Sequence, residues 1–517
     1  MTLPCKELLF NPLRLAGLIA WFYLCLYILQ RYEGSSLIPN RNKSISNLLL
    51  LLTGPLYLFV LLVISVVKRA EQESVSFFEA LRMTFSKSLI HRIKKRHFSG
   101  ARGEYAIVLL DSSGRSLSEV YGHGREDRRH TEILELTEEI IGDAVLLSAS
   151  DVLIDPINNT TGTVRFRIDG MLRTTYEFDL GMCTSIVNSI KAISGMDIAE
   201  KRRPQDGAFI AKMVKGSISF RVASAGVLHG EKLSIRILNQ ISGPMDMKQL
   251  GLSQDQYGTI KEMIYRSSGM ILVCGPTGSG KSTTMYAILR RLDFMTKNVI
   301  TIEDPIEYVL PQASQIEINT KADITFANTL RSVLRQDPDV ICVGEIRDDE
   351  TAAMALQASQ TGHLVFATLH SSSNVTALIR LLDLGVKPLL VSSALDLIIS
   401  QRLVRKLCNH CKIAANLNDS QIINLQGRHI DPHTIMSPKG CKKCGGTGYS
   451  GRTGIFDIMM MDDEIKSQLI EGRMSMGELK KTGDRQFRKI LQKQGMKLAL
   501  DGTTSLKEVK RIVSSLG

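Results

Sequence analysis

Between Gly275 and Ser282 the chain reads Gly-Pro-Thr-Gly-Ser-Gly-Lys-Ser, a spacing that builds a phosphate cradle. The small residues Gly275, Gly278 and Gly280 let the backbone wrap an anion. Pro276, Thr277 and Ser279 complete the loop, and Lys281 reaches toward the outer phosphates. Ser282 offers a hydroxyl to Mg²⁺, and Thr283 continues into a segment, Lys281–Leu292, that reads as a helix with its N-terminus at the anion. The apolar run Met270–Cys274 leads into the loop as a strand. The pattern predicts binding of a nucleoside triphosphate with Mg²⁺.

Hydrolysis needs acids beside that cradle, one to hold the metal through water and one to orient or deprotonate the attacking water. Three more apolar runs, Val299–Ile302, Val340–Val343 and Leu364–Leu369, end in Glu303-Asp304-Pro-Ile-Glu307, Gly344-Glu345 and His370. Helical stretches at Phe326–Gln336 and Glu350–Gln360 separate these runs, the rhythm of a parallel sheet whose ligands sit at the strands' carboxyl ends. Glu303 and Glu345 are the expected acid pair. His370 and His363 are candidates to sense the outer phosphate or to relay to a neighbouring subunit. An arginine completing the site could come from Arg165, Arg167, Arg221 or Arg236 upstream, or from Arg331, Arg335 or Arg347 in the core, and spacing does not choose among them.

A second kind of chemistry follows downstream. Cys408-x-x-Cys411 and Cys441-x-x-Cys444 have the two-residue spacing that lets a pair of thiolates meet one tetrahedral metal, and four sulfurs leave no open position. The expected ion is a structural zinc. Redox dithiols and plain buried cysteines are the alternatives. The other cysteines, Cys5, Cys25, Cys183, Cys274 and Cys342, are scattered, as in a reduced cytosolic compartment.

The elements that carry these residues occupy a chain of 517 residues, 44% apolar and 22% charged, with a net charge of +12. That composition is globular except at the start. Leu48–Val67 is an uncharged run long enough to cross a bilayer, and Leu15–Leu29, with Trp21, Tyr23 and Tyr27, reads as a first span of a hairpin, with a signal peptide or a lone interfacial helix as the alternatives. Nine Lys or Arg against three Glu between Lys68 and Gly103 place that flank on the cytoplasmic side and attract anionic lipid. Within it Phe78, Leu81, Phe85, Leu89 and Ile93 suit either an amphipathic helix on the membrane surface or one packed on the soluble part. Strands are expected at Glu104–Leu110, Thr163–Ile168 and Ile218–Val222, with a helix around Leu134–Ala149. The expected organisation is a transmembrane hairpin over 1–70, a basic linker over 71–103, a mixed α/β domain over 104–240, a parallel α/β core over 241–400, a tetracysteine subdomain over 401–460 and a helical tail over 461–517. The fold class is therefore α/β, a P-loop core preceded by a smaller mixed domain.

GPTGSGKSTT, TIEDPIEY, LRQDPDVICVGEIRDDETA and TGHLVFATLH, in this order, resemble the Walker A, aspartate, atypical Walker B and histidine boxes of the secretion ATPase superfamily, which drives type II secretion and type IV pilus assembly. The resemblance runs from about residue 105 to 470 and includes ASDVLIDP, VRFRIDG, QRLVRKLC and GTGYSGRTGIFD. It implies that the core over 241–400 is RecA-like and that six subunits form a ring closing around ATP, with Lys281 and Ser282 on phosphate and Mg²⁺, Glu303 as general base, Glu345 supporting metal and water, and His370 coupling the site to its surroundings. It also implies that Arg167, Arg221 and Arg236 approach the nucleotide, and that the machine's inner-membrane platform protein is the partner. Departures stand at Leu153 and Asp155, where His and Glu are usual, at Ala208, where Arg is common, and at Ala225–Leu228, which lacks the usual Pro. Relatives usually carry a soluble adaptor domain where this chain has its apolar hairpin, so direct anchoring in the bacterial inner membrane, with the ATPase domains in the cytoplasm, is expected. A nucleic-acid translocase or a conjugation-linked ATPase is the alternative, but no basic, aromatic-interleaved motif lies near the core, so no nucleic-acid partner is expected.

Overall fold

The strands of the first domain alternate buried and exposed residues, the mark of a sheet with one face on a core and one in solvent. The computed structural model describes residues 107–121, 128–213, 216–238, 243, 245–417, 431, 434–471 and 476–514. The first domain runs β1 (Val108–Leu110), α1 (Leu117–Tyr121), α2 (Arg128–Leu146), β2 (Ala149–Pro156), β3 (Thr161–Ile168), β4 (Met171–Asp179), α3 (Leu180–Ile193), β5 (Gln205–Met213), β6 (Gly216–Val227) and β7 (Gly230–Leu238). Its seven strands pair antiparallel in the order β1-β5-β6-β7-β2-β3-β4. Ile140 and Ile141 of α2 and Ile186 and Ile190 of α3 share a core with Val152, Phe166, Phe220 and Ile235 of the sheet. The helix expected up to Ala149 ends at Leu146 instead. Ser148 takes a left-handed φ of 52°, which stops the helix and lets Ala149 open β2.

The core begins with α4 (Gln254–Ile264), entered through a reciprocal cap in which the Ser253 side chain accepts from the Gln256 N–H. It continues as β8 (Gly269–Cys274), α5 (Lys281–Leu289), β9 (Val299–Glu303), β10 (Ser314–Glu317), α6 (Phe326–Val333), β11 (Val340–Val343), α7 (Asp349–Gln360), β12 (Leu364–Leu369), α8 (Asn374–Asp383), α9 (Pro388–Ala394) and β13 (Leu395–Leu407). β8, β9, β11 and β12 are buried at every position, as strands covered on both faces must be. After the short hairpin β14 (Lys412–Ala414) and β15 (Met436–Pro438), β16 (Tyr449–Met460) returns to the main sheet. The seven-stranded order is β10-β9-β11-β12-β8-β13-β16, parallel except for the antiparallel β13–β16 pair. Helices α10 (Asp463–Ile470), α11 (Met476–Leu500) and α12 (Leu506–Ser514) close the chain. Phe487 and Leu491 of α11 and Ile512 of α12 bury against Val404 and Ile455, fastening the last helices to the β13–β16 edge.

Tyr105–Gly517 forms one compact unit. Among the described residues no helix is long and apolar enough to cross a membrane. The two expected spans and the basic linker lie outside the described residues.

Candidate functional site

Four parallel strands end on one side of the sheet, and the functional side chains hang from those ends. β8 runs into the cradle, where Gly278 and Gly280 take left-handed φ values of 76° and 90°. A Cβ on Gly275 would collide with the Ser279 hydroxyl. Lys281 Nζ donates to the Gly275 carbonyl at 2.9 Å and lies 3.5 Å from His370 Nδ1. Burial lowers the affinity of Lys281 for its proton, and Glu345 partly restores it.

The acids differ in their surroundings in a way that spacing does not reveal. Glu303 ends β9 but is buried. It accepts from the Thr301 hydroxyl at 2.6 Å, from Gln315 Nε2 at 3.0 Å and from the Tyr286 hydroxyl. Burial and this contact push the Tyr286 phenol well above its usual pKa. The Tyr286 oxygen in turn accepts from the Tyr308 N–H at 3.2 Å, which fixes the backbone next to Glu307. Glu307, quoted in the sequence pattern but given no role there, accepts from Ser282 Oγ at 3.0 Å. Burial raises its pKa above 4.5, while Ser282, Arg236 and Lys281 pull the other way.

Glu345 lies 3.0 Å from His370 Nε2 and is held by Arg347 at 2.8 Å. Arg347 also reaches Asp304 at 3.2 Å. Burial first, then Lys281, lowers the His370 pKa from 6.5, against the pull of Glu345. The ring therefore rests neutral at pH 7. His363 stands at the opposite, amino end of β12, where its Nδ1 lies 2.9 Å from the Ala358 carbonyl.

A cleft of about 1680 Å³ runs from this cradle to the first domain. There the strand registers align Ala208, Arg221, Arg236, Asp151 and Arg167 as consecutive cross-strand neighbours. Asp151 holds Arg167 at 3.1 Å and Arg236 at 3.4 Å, and all three line the cleft. Arg221 does not line it; it reaches Glu317 of β10 at 3.1 Å and so ties the two sheets together. Arg165 is occupied by Asp155, which Lys232 also approaches, and Arg331 pairs with Glu350.

The four cysteines converge. Their sulfurs all lie within 4.8 Å of one another, with Cys408–Cys441 at 3.9 Å and Cys411–Cys444 and Cys441–Cys444 at 3.8 Å. Zn–S bonds of about 2.3 Å in a tetrahedron require sulfur separations of about 3.8 Å, so the set fits zinc. Burial disfavours the Cys444 thiolate, yet the N–H groups of Cys441 and Gly448, at 3.2 and 3.1 Å, bring its pKa down to about 6. The knuckle also touches the first domain: Arg173 donates to the Gly445 carbonyl at 2.6 Å, and Asp169 accepts from the Gly451 N–H at 3.1 Å.

Comparison with known proteins identifies the family and the fold. Residues 126–511 match the family described as Type II/IV secretion system protein. The chain is 41% identical over 380 residues to the Type II secretion system protein E of Dickeya dadantii, covering 74% of this chain and 75% of that one. It is 40% identical over 377 residues to the Type IV pilus assembly ATPase PilB of Thermus thermophilus, covering 72% of this chain and 42% of PilB. The fold is similar to that of the Legionella pneumophila ATPase DotB, with a TM-score of 0.54 at 20% identity over 74% of this chain and 96% of DotB. The chain belongs to the Type II/IV secretion system protein family.

Proposed function

We propose that this chain is the motor subunit of a hexameric, membrane-anchored ATPase that powers assembly of a type IV pilus or pseudopilus, or type II protein secretion. ATP hydrolysis is its chemistry, as its family and the names of its relatives indicate. The observation that carries the finer reading is the single cleft in which a complete phosphate cradle and two carboxylates face arginines of a separate domain.

In this reading Lys281 would hold the outer phosphates, and Ser282 would hold Mg²⁺ through its hydroxyl. Mg²⁺ supplies charge neutralisation of the phosphates. Glu307 stands beside Ser282, and the burial that raises its pKa makes it a better proton acceptor than an exposed carboxylate, which suits a group that takes a proton from water. Glu303 acts through Tyr286 as the positioning residue for Glu307. Glu345 and His370 form the second carboxylate and the group facing the outer phosphate. Arg167 and Arg236 approach from across the cleft, so that closure of the first domain on the core follows nucleotide state. Arg221 keeps the domains in register through Glu317. Zinc in the four-cysteine knuckle is structural.

The apolar hairpin over 1–70 and the basic segment over 71–103 anchor the motor to the bacterial inner membrane with its ATPase domains in the cytoplasm, and the partner is the platform protein of the secretion or pilus machine. Two measurements test the whole. Purified full-length protein should hydrolyse ATP, and Lys281→Ala should abolish this. The wild type should also sediment with membranes and a chain lacking residues 1–103 should not. Equal hydrolysis by wild type and K281A would falsify the site.

A further inference from the structure

Six arginines line the cleft, and five of them meet a carboxylate: Arg167 and Arg236 at Asp151, Arg347 at Glu345, Arg452 at Asp169 and Arg511 at Glu508. The sixth, Arg402, is only 8% exposed, and among the described residues no carboxylate pairs with it. It stands on β13, two residues past the point where Ser400 pairs with Cys274, so it flanks the start of the phosphate cradle. The neighbouring Gln401 donates to the Ser279 carbonyl at 2.7 Å, fastening β13 to the cradle itself. Among the described residues the guanidinium donates to two neutral carbonyls, Gln401 at 3.0 Å and Ser372 at 2.8 Å, and lies 5.2 Å from the Phe487 ring centroid. A guanidinium kept from water without a counter-charge is costly, and burial does reduce its hold on its proton.

We infer that Arg402 is a nucleotide-binding residue whose counter-charge is the phosphate chain of the nucleoside triphosphate, bound from the β13 side of the cradle opposite the carboxylates. The assignment rests on the nucleotide-hydrolysis reading of the cleft. It explains why a buried cation is tolerated there: the ligand completes it, and the fork geometry of arginine suits phosphate oxygens. Two contacts carry the result outward. Ser372 lies two residues beyond His370, and Phe487 belongs to α11, so a phosphate that draws the guanidinium biases both the histidine loop and the last long helix.

The test uses full-length protein in detergent and three forms: wild type, Arg402→Gln and Arg402→Lys. Thermal unfolding is followed without nucleotide and with saturating MgATP, and ATPase rates are fitted for KM and kcat. For R402Q the nucleotide-free Tm should equal or exceed that of wild type, because an uncompensated charge is gone. Its MgATP-induced rise in Tm should shrink by more than half, and KM should rise by about tenfold or more. R402K, which keeps the charge without the fork, should give a KM between the two. A lower nucleotide-free Tm in R402Q with unchanged KM and unchanged MgATP increment would mean that Arg402 only holds Ser372 and Phe487, and would overturn the assignment. If R402Q does not fold, a KM in R402K equal to wild type overturns it equally. Wild type that neither hydrolyses ATP nor gains Tm with MgATP would instead sink the underlying reading of the cleft.

Discussion

Ser282 Oγ donates to Glu307 Oε1 across 3.0 Å, which puts a carboxylate against the hydroxyl expected to hold Mg²⁺. Glu307→Gln should therefore lower kcat by about 10²-fold or more while leaving MgATP binding largely intact. Tyr286→Phe, which removes the link from Glu303 to the Tyr308 backbone, should cost on the order of 1 kcal/mol of stability and a smaller part of kcat. Steady-state kinetics with a nucleotide-binding assay check both. Loss of binding rather than of kcat in Glu307→Gln would refute this division of roles.

The acid limb of the rate profile carries the same signature. Glu307 must be ionised to accept a proton, and burial raises its pKa above 4.5, so activity should fall with acid at a higher pH than an ordinary glutamate gives. For stability the sign is the reverse. The folded state binds this proton more tightly than the unfolded one, so the contribution of Glu307 to stability declines as pH rises from 4.5 through the folded value.

His370 should titrate below 6.5, as its Cε1 proton followed by NMR, with His370→Asn supplying the assignment, will report. Because the unfolded ring takes up its proton first, acidification below 6.5 should destabilise the nucleotide-free protein through this group. Glu345→Gln removes the one neighbour that raises the histidine's pKa, so the titration should move lower still, and kcat should drop by about 10²-fold.

Metal analysis of freshly purified protein should find zinc at one per chain. Chelation, or Cys444→Ser, should lower Tm and open the segment around Cys408 and Cys441 to thiol reagents. Unchanged Tm after complete zinc removal would show that the knuckle folds on its own contacts.

Glu508 is wholly buried between Arg405 and Arg511, each at 2.6 Å, and those contacts outweigh burial to hold its pKa at about 2. Glu508→Ala should cost roughly 3–5 kcal/mol by stranding two guanidinium groups. In the wild type the stabilisation is complete above about 4.5 and is lost as pH falls toward 2, so an acid unfolding curve should steepen in that window.

The phosphate cradle was legible because phosphate wrapping fixes glycines at set spacings, and the four parallel strands because each is a short apolar run set between helical stretches. The different surroundings of Glu303 and Glu307 were not. Both stand in one five-residue stretch and both line the cleft, and only the packing shows that Tyr286 and Thr301 hold Glu303 while Ser282 meets Glu307. Arg221 and Arg236 look equivalent in sequence and are direct cross-strand neighbours, yet only the second meets Asp151. Ala208, a departure in the sequence, falls next to Arg221 in the same row, a fact that only the strand register gives. Arg402 escaped notice because the want of a counter-charge is a property of the packed site. β16 joins the core sheet beside β13 across the cysteine region, a long-range pairing that no local pattern announces.

The contacts of Arg173 with Gly445 and of Asp169 with Gly451 make the cysteine knuckle a doorstop for the first domain. That domain is thus held partly by the edge of the core sheet that carries the cysteines, and removal of the metal proposed for the knuckle should loosen this hold while leaving the phosphate cradle intact.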